Sequence, residues 1–239
     1  MRETDKRMRL QAFLARSGAA PSRRKAEALI SAGRVQLNGR TATLGESASP
    51  ADRILLDGEP IELPTTQAYL ALNKPAGYLT TLNDERGRKT VAELMPQNIP
   101  GLVPIGRLDA ATTGLLLFTN DGPLAHHIAH PSSEIEKEYE LTLRNPAPEE
   151  RLAALAAGPH LEDGKMLPPK LTKLRRGPAQ TTLNLIIHEG HNRIIRRACE
   201  AAGLDLKELK RVRVGPVGLG SLPEGRYRPL TPDELAGLR

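Results

Sequence analysis

One acidic side chain has neighbours that suit a reactive carboxylate. Asp109 lies in the run GRLDAATTGLLLFTNDG, two residues after Arg107 and shortly before a Thr-Thr-Gly turn. The apolar run Leu115–Thr119 predicts a strand, which places Asp109 on an irregular loop at that strand's edge. A nearby guanidinium keeps a carboxylate ionised and nucleophilic at neutral pH. On spacing alone, an aspartate in a turn more often caps a helix or bonds its own backbone, so both interpretations stay open here.

Two further segments carry side chains that can hold an anion or a base. Arg193, Arg196 and Arg197 lie within five residues, after Glu189-Gly190, and three such guanidiniums suit a phosphate. They are equally suited to be the solvated face of a helix. Tyr139 lies in a predicted strand, where its ring either packs on the core or offers a stacking surface.

A metal centre is not expected. His126, His127 and His130 lie three or four residues apart in a predicted helix, but no carboxylate motif of the metallohydrolase type accompanies them. Cys199 is the only cysteine, which excludes an intramolecular disulfide and a two-thiolate zinc site.

The composition favours a polyanionic partner. The chain has 239 residues, with 34 Lys and Arg against 28 Asp and Glu, which gives a formal net charge of +6. No apolar run approaches the roughly 20 residues that span a bilayer, and the charged start lacks the apolar core of a secretion signal. We therefore expect a cytoplasmic protein without membrane contact. With two Phe, four Tyr and no Trp, a broad platform for stacking bases is excluded.

The first sixty residues are predicted to form a helix-helix-hairpin unit. Apolar residues in the segment 9–17 recur at helical spacing, and Ser22 is an N-cap candidate for a second helix that stops at Gly33. Asn38-Gly39 and Asp57-Gly58, each between alternating apolar residues, predict two hairpin turns.

Charge is unevenly distributed in this unit. Residues 1–40 carry ten basic and three acidic side chains, whereas residues 41–63 carry one and five. The helical half is therefore the expected phosphate-facing surface, although helices also commonly solvate one face with basic residues. The expected phosphate contacts here are Arg16, Arg23, Arg24, Lys25 and Arg34.

A break at residues 64–67 separates this unit from the rest of the chain. Beyond it, predicted strands (102–105, 115–119, 139–143, 181–187 and 209–214) interleave with short helices (91–95, 123–129, 148–156 and 193–201). That order favours a mixed α+β sheet over a doubly wound one. Near the end, Thr231, Pro232 and Glu234 predict a capping box.

The Asp109 run resembles the signature motif of the RsuA/RluB family of ribosomal RNA pseudouridine synthases, in which GRLD is followed by TxGLLL and TNDG. The resemblance continues, in the family's order, through KPAG (74–77), EKEYELTL (136–143), LEDG (161–164), EGHNRIIRRACEAAGL (189–204) and LKRVRVG (209–215). The first unit resembles the RNA-binding module named after ribosomal protein S4. Nearly the whole chain is covered.

The resemblance implies a fold, a reaction and a set of residues. We expect an S4-like RNA-binding domain over residues 1–63, a linker over 64–67 and a catalytic domain with a mixed, mainly antiparallel sheet over 68–239. The implied reaction is the conversion of a flipped-out uridine of ribosomal RNA to pseudouridine. Asp109 would attack or deprotonate the nucleoside, Tyr139 would stack on the base and Arg196 would pair with Asp109. Further RNA contacts are expected from Lys74, Arg107, Arg193 and Arg197.

No cofactor is expected, and we expect a monomer. Local resemblance, including the phenylalanine of GLLLFTNDG, favours a large-subunit target. A small-subunit target of the RsuA type and a non-catalytic ribosome-assembly factor stay open as alternatives. The chain departs from the family at Ala111, where an acid is frequent, and at His191, where Arg is frequent. These departures concern the fit of the substrate and leave the central carboxylate in place.

Overall fold

A computed structural model of the chain describes residues 7–239. These residues form two compact units. The first contains the described residues up to Ala68 together with Met95–Val103 and Phe118–Gly122; the second contains Tyr69–Leu94, Pro104–Leu117 and Pro123–Arg239.

Both helices and both hairpins predicted for the first unit are confirmed. Its elements are β1 (Met8–Arg9), α1 (Leu10–Arg16), α2 (Arg23–Ser31), β2 (Val35–Leu37), β3 (Arg40–Thr41), β4 (Ser47–Ala48), β5 (Ile54–Leu56) and β6 (Glu59–Pro60). The Ser22 hydroxyl accepts a hydrogen bond from the backbone N–H of Lys25 at 3.2 Å, which is the predicted N-cap. Asn38 (φ 51°) and Gly39 (φ 84°) both have positive φ, as a two-residue hairpin turn requires.

The core of the first unit lies between the helices and the hairpins. Leu10, Phe13 and Leu14 are at most 1% exposed, because their spacing brings them to one face of α1. They pack with residues of α2 and of strands β2 and β5, including Ile30, Val35 and Ile54.

The part of the chain after Ala68 is built on a long sheet. Its strands are β7 (Tyr69–Lys74), β8 (Val103–Ile105), β9 (Thr113–Thr119), β10 (Lys137–Arg144), β11 (His160–Leu161), β12 (Gly164–Lys165), β13 (Lys170–Arg176), β14 (Gln180–Ile187), β15 (Leu206–Val214), β16 (Val217–Gly218) and β17 (Tyr227–Pro229). Its helices are α3 (Gly122–Ala129), α4 (Glu149–Ala156), α5 (Ile194–Ala201) and α6 (Pro232–Ala236), with 3-10 turns at Val91–Leu94 and Pro131–Ser133.

The strands follow the order β13-β14-β10-β15-β9-β7-β17, with β8 beside β9 and β16 beside β15. The pairs β13–β14, β14–β10, β10–β15 and β7–β17 are antiparallel, whereas β15 and β9 are parallel. The predicted α+β fold with a mixed, mainly antiparallel sheet is therefore confirmed. Helix α6 begins with the predicted capping box between Thr231 and Glu234.

Some elements escaped prediction. Strand β13 and the short pairs β1–β4 and β11–β12 carry no clear apolar alternation; β13 is mostly exposed and forms through its ladder to β14. The helix predicted from Arg193 begins one residue later, because Arg193 itself has left-handed backbone angles (φ 49°, ψ 29°).

Candidate active site

Asp109 lies in the loop between β8 and β9, and a buried lysine forms hydrogen bonds with the backbone of that loop. Lys74, at the end of β7, is 0% exposed. Its ammonium donates hydrogen bonds to the carbonyl oxygens of Pro75 (2.9 Å), Ala110 (3.2 Å) and Thr112 (2.9 Å). Burial lowers the pKa of Lys74 to about 8, while the charges of Asp109 and Glu224 act in the opposite direction. The KPAG turn thus ties the backbone on the carboxyl side of Asp109 to the sheet.

A hydroxyl holds the amino side of the same loop. Thr80 Oγ1 donates to the carbonyl oxygen of Leu108 at 2.7 Å and accepts from the Leu108 N–H at 3.2 Å. The Gly77 N–H adds a hydrogen bond to the Ala110 carbonyl oxygen at 2.8 Å. Asp109 is therefore fixed on both sides, although it belongs to no helix or strand.

Two guanidiniums face the Asp109 carboxylate. Arg193 Nη1 lies 3.5 Å from Asp109 Oδ2, and Arg196 Nε lies 3.9 Å from the same oxygen. The Asp109 side chain is 31% exposed, so water reaches the carboxylate. Both guanidinium nitrogens therefore lie within 4 Å of the same carboxylate oxygen. The expected proximity of Arg196 and Asp109 is present, and Arg193 lies closer still.

Each arginine is held differently. Arg196 is 16% exposed and its Nη2 donates to the Ala111 carbonyl oxygen (3.3 Å) and to Thr112 Oγ1 (3.4 Å). Burial, followed by the charge of Arg193, lowers the pKa of Arg196, and Asp109 opposes them. Arg193 is 51% exposed, and its position near Asp109 depends on its left-handed backbone. This conformation costs a non-glycine residue about 1 kcal/mol. Strain of this kind is often found at functional sites.

A cavity of about 400 Å³ opens beside the carboxylate. Asp109, Arg193 and Arg196 line it together with Tyr139 of β10. Tyr139 is 8% exposed and lines the cavity, so its side chain is mostly buried there. The structure thus brings the three predicted catalytic residues around one cavity. Its volume accommodates a single nucleobase.

Sequence reasoning missed two cations in this cavity. Lys137 and Arg211 both line it. Arg211 is the sixth residue of β15, and Arg213 follows it by two positions, so strand alternation would place both arginines on one face. A β-bulge overrides that expectation, as described below.

Two predicted RNA contacts have internal partners instead. Lys74 has no exposed surface for a phosphate, and its ammonium is bonded to the Asp109 loop. Arg197 donates two hydrogen bonds to Asp163 (2.6 and 2.9 Å), which fastens α5 to the turn between β11 and β12. The expectation for Lys74 is corrected, because its side chain is fully buried. Arg197 keeps 25% of its side chain exposed, and its contact with RNA stays a prediction. Arg107, by contrast, is exposed.

The basic residues of the first unit have mixed environments. Arg23, Arg24 and Lys25 are exposed in the first turn of α2, and Arg16 is half-buried at the end of α1. Arg34 is exposed and forms an ion pair with Asp57, whose pKa is lowered by the hydrogen bond from Arg34.

The histidines form no metal cluster. The rings of His126 and His130 stack with their centroids 5.2 Å apart. Across residues 7–239, no group of three or more His, Cys, Asp or Glu side chains is arranged to hold a metal ion. Within the same residues, no helix has both the length and the apolar character needed to cross a bilayer.

Comparison with known proteins identifies the family. Residues 68–201 match the family model of RNA pseudouridylate synthase, and residues 8–54 match the S4 domain. The chain belongs to the RNA pseudouridylate synthase family. This synthase is 42% identical, over 97% of its length and 95% of the relative's, to a Bacillus subtilis protein named ribosomal large subunit pseudouridine synthase B. It is 40% identical, over 97% of its length and 93% of the relative's, to an uncharacterized RNA pseudouridine synthase of Aquifex aeolicus.

A solved structure agrees with this assignment. The synthase superposes on a crystal structure of a pseudouridylate synthase with a TM-score of 0.70 and 34% identity, covering 97% of this chain and 100% of the other. The protein is therefore an RNA pseudouridine synthase, an isomerase, with an RNA-binding S4 domain.

Proposed function

We propose that this synthase converts one specific uridine of large-subunit ribosomal RNA to pseudouridine, with Asp109 as the reacting carboxylate. The observation that carries the proposal is the position of Asp109 at a cavity large enough for a nucleobase, 3.5 Å from Arg193 and 3.9 Å from Arg196. The choice of the large subunit is supported by the name of the Bacillus subtilis relative.

The reaction is an isomerisation in which atoms and electrons balance. The bond between C1′ and N1 breaks, a bond between C1′ and C5 forms, and the C5 proton is lost while N1 gains one. Asp109 acts either as a nucleophile at C1′ or as a base toward a ribose proton, and both routes require an ionised carboxylate. Because no electrons are exchanged with another reactant, we propose that the enzyme needs no cofactor and no metal.

The remaining site residues follow from this chemistry. A base inside a helix is unreachable, so the uridine is flipped out into the cavity, where the Tyr139 ring stacks on it. Arg196 positions the carboxylate of Asp109. Arg193 and Arg107, both largely exposed, contact neighbouring phosphates.

The S4 domain supplies further contacts with the RNA backbone. The proposed phosphate contacts are Arg16, Arg23, Arg24, Lys25 and Arg34. We place this domain at residues 1–63, the linker at 64–67 and the catalytic domain at 68–239, which is supported by matches that end at residue 54 and begin at residue 68. We propose that the enzyme acts as a monomer in the cytoplasm, where its ribosomal RNA substrate is made.

Mapping of pseudouridine in ribosomal RNA by carbodiimide modification tests the reaction. Deletion of the gene should remove one large-subunit pseudouridine, and Asp109→Asn should fail to restore it while RNA affinity stays within a few-fold. Asp233→Asn, the same change at an exposed acid of α6, is the matched control and should restore it fully. Full activity of Asp109→Asn overturns the catalytic assignment. If the deletion strain instead lacks a pseudouridine of the small subunit, the proposed target is wrong. If the deletion strain keeps every pseudouridine in both subunits and the protein still binds RNA, the result favours an assembly factor.

Salt dependence of RNA binding tests the S4 contacts. Substitution of Arg23 and Arg24 by Gln in the full chain should reduce the slope of log affinity against log salt by about 1.5, because each phosphate contact contributes roughly 0.7 to 0.9. Arg53→Gln is the control, since Arg53 is exposed in the acidic half of the domain. An unchanged slope in the double variant contradicts the proposed surface.

A further inference from the structure

The cavity contains a buried guanidinium with unused hydrogen-bond donors. Arg211 of β15 is 4% exposed and lines the cavity. Its Nε donates to the Leu115 carbonyl oxygen at 2.7 Å. Within residues 7–239, neither of its two Nη nitrogens has a hydrogen-bond partner and no carboxylate forms an ion pair with it. Buried charged groups are usually paired, and these two nitrogens can donate to an acceptor that enters the cavity.

A β-bulge decides which arginine of β15 enters the cavity. The register between β10 and β15 shifts between Glu138 and Tyr139, so that Tyr139 lies opposite Arg211 while Glu138 lies opposite Arg213. Arg213 donates to Glu138 at 2.9 Å and to Glu136 at 2.8 Å on the other face of the sheet. Glu136 and Glu138 are therefore bonded to Arg213 on that face. Arg211 is left on the same face as Tyr139.

A second cation adjoins Arg211. Lys137 precedes Tyr139 by two residues on β10 and lines the same cavity. Its ammonium donates to the carbonyl oxygens of Ile135 and His188, both at 3.2 Å. Burial lowers the pKa of Lys137, and the positive charge of Arg211 lowers it further. One side of the cavity is thus positively charged.

We propose that Arg211, with Lys137 beside it, binds the carbonyl oxygens of the flipped uracil and stabilises the negative charge of that ring after the glycosidic bond breaks. When the C1′–N1 bond breaks, its electron pair stays with the uracil, where it is spread over N1, O2 and O4. Fixed donors aimed at developing charge are among the strongest contributions to catalysis. The inference rests on the proposed function, because it assumes that the base occupies this cavity.

The same contact selects uracil over cytosine. Both carbonyl oxygens of uracil accept hydrogen bonds, whereas cytosine carries an amino group at position 4, which only donates. If cytosine occupied the cavity, its amino group would face the N–H groups of the arginine. Both groups are donors and form no hydrogen bond with each other, so the arginine disfavours cytosine. Arg211 is then both a catalytic and a specificity-determining residue.

The test combines an Arg211 variant with substrates altered at a single atom. RNA carrying the uridine identified by mapping is prepared with 2-thiouridine, 4-thiouridine or cytidine at that position. Arg211→Gln is compared with Arg213→Gln, the matched change two residues away on the opposite face of the sheet. Wild type should react more slowly with at least one thio substrate, because sulfur is the weaker acceptor. Arg211→Gln should react at least tenfold more slowly with uridine and show no further loss with that thio substrate.

Binding gives a readout that does not depend on turnover. Wild type and Arg213→Gln should bind the uridine RNA about tenfold more tightly than the cytidine RNA, and Arg211→Gln should lose this preference. The inference is overturned if wild type is indifferent to both thio substitutions, or if a folded Arg211→Gln protein keeps the thio effect and the uridine preference. Should Arg211→Gln not fold, Arg211→Met takes its place, because methionine has a similar length and no donor, and the same criteria apply to it. A wild-type enzyme that forms no pseudouridine contradicts the proposed function itself, and the inference falls with it.

Discussion

Lys74→Met separates the support of the Asp109 loop from the binding of RNA. Methionine has nearly the length of lysine and fills the buried site, but it removes all three hydrogen bonds that the ammonium donates. The Ala110 carbonyl keeps its bond from the Gly77 N–H, whereas Pro75 and Thr112 lose the donor that the ammonium supplies.

Two opposing contributions set the expected magnitude. Leaving two buried carbonyls without this donor costs roughly 1 to 3 kcal/mol each. Removal of the buried charge acts in the opposite direction: the fall of the pKa of Lys74 from 10.5 to about 8 corresponds to roughly 3 kcal/mol. The two contributions largely offset each other, so we expect the free energy of unfolding to fall by no more than about 3 kcal/mol.

Activity should respond far more strongly than stability. A carboxylate misplaced by about 1 Å costs on the order of a hundredfold in rate, because the reacting atoms lose their alignment. We therefore expect single-turnover formation of pseudouridine to fall about a hundredfold, measured alongside denaturant unfolding and RNA binding, with affinity within twofold of wild type. A variant as active as wild type refutes the supporting role. If the variant lost much of its affinity for RNA but kept the single-turnover rate of wild type, Lys74 would be an RNA contact after all.

The protonation of Lys74 adds a dependence on pH with a defined sign. Below pH 8 the side chain is charged in both the folded and unfolded states, so its burial penalty is fully present. Between pH 8 and 10.5 the folded state loses the proton first. The stability of wild type relative to Lys74→Met should therefore rise across this window, while wild-type activity falls as the loop loses a donor. A stability difference that stays constant from pH 7 to 10 contradicts the lowered pKa.

Three further substitutions have defined outcomes. Gly114→Ala should lower the free energy of unfolding by more than about 3 kcal/mol in denaturant titrations, because Gly114 has φ +97° and an added Cβ would lie 2.2 Å from the Arg211 carbonyl oxygen; near-normal stability would contradict this. Arg197→Gln should cost at most about 1 kcal/mol by removing the pair with Asp163 and should leave the salt slope of RNA binding unchanged; a smaller slope would mean that it meets phosphate. Thr231→Ala should lower stability by about 1 kcal/mol in thermal unfolding without changing activity, and no change would mean that the capping box contributes nothing.

Local elements were predictable because their signals are local. The N-cap at Ser22, the Asn38-Gly39 turn and the capping box at Thr231 depend on residues within four positions of one another. Strand β13 was missed for the converse reason. Its residues are mostly polar and exposed, and it becomes a strand through a hydrogen-bond ladder to β14.

The candidate site was predictable only in part. The motif around Asp109 and its resemblance to a family pointed to Asp109, Tyr139 and Arg196, and the structure brings all three to one cavity. The closer approach of Arg193 depends on a left-handed backbone at that residue, which no spacing rule indicates for arginine.

By itself, the sequence pointed to Asp109 as the candidate carboxylate, because a signature motif can be read without coordinates. Only the tertiary structure decided what surrounds that carboxylate. Lys74 stabilises the Asp109 loop because the end of β7 lies next to that loop, where the buried ammonium is inaccessible to a phosphate. Arg211 lines the cavity and Arg213 lies on the opposite face of the sheet because one bulge shifts the register of β15 against β10. Strand alternation is local, but register is set by the partner strand, which lies more than sixty residues away in the chain.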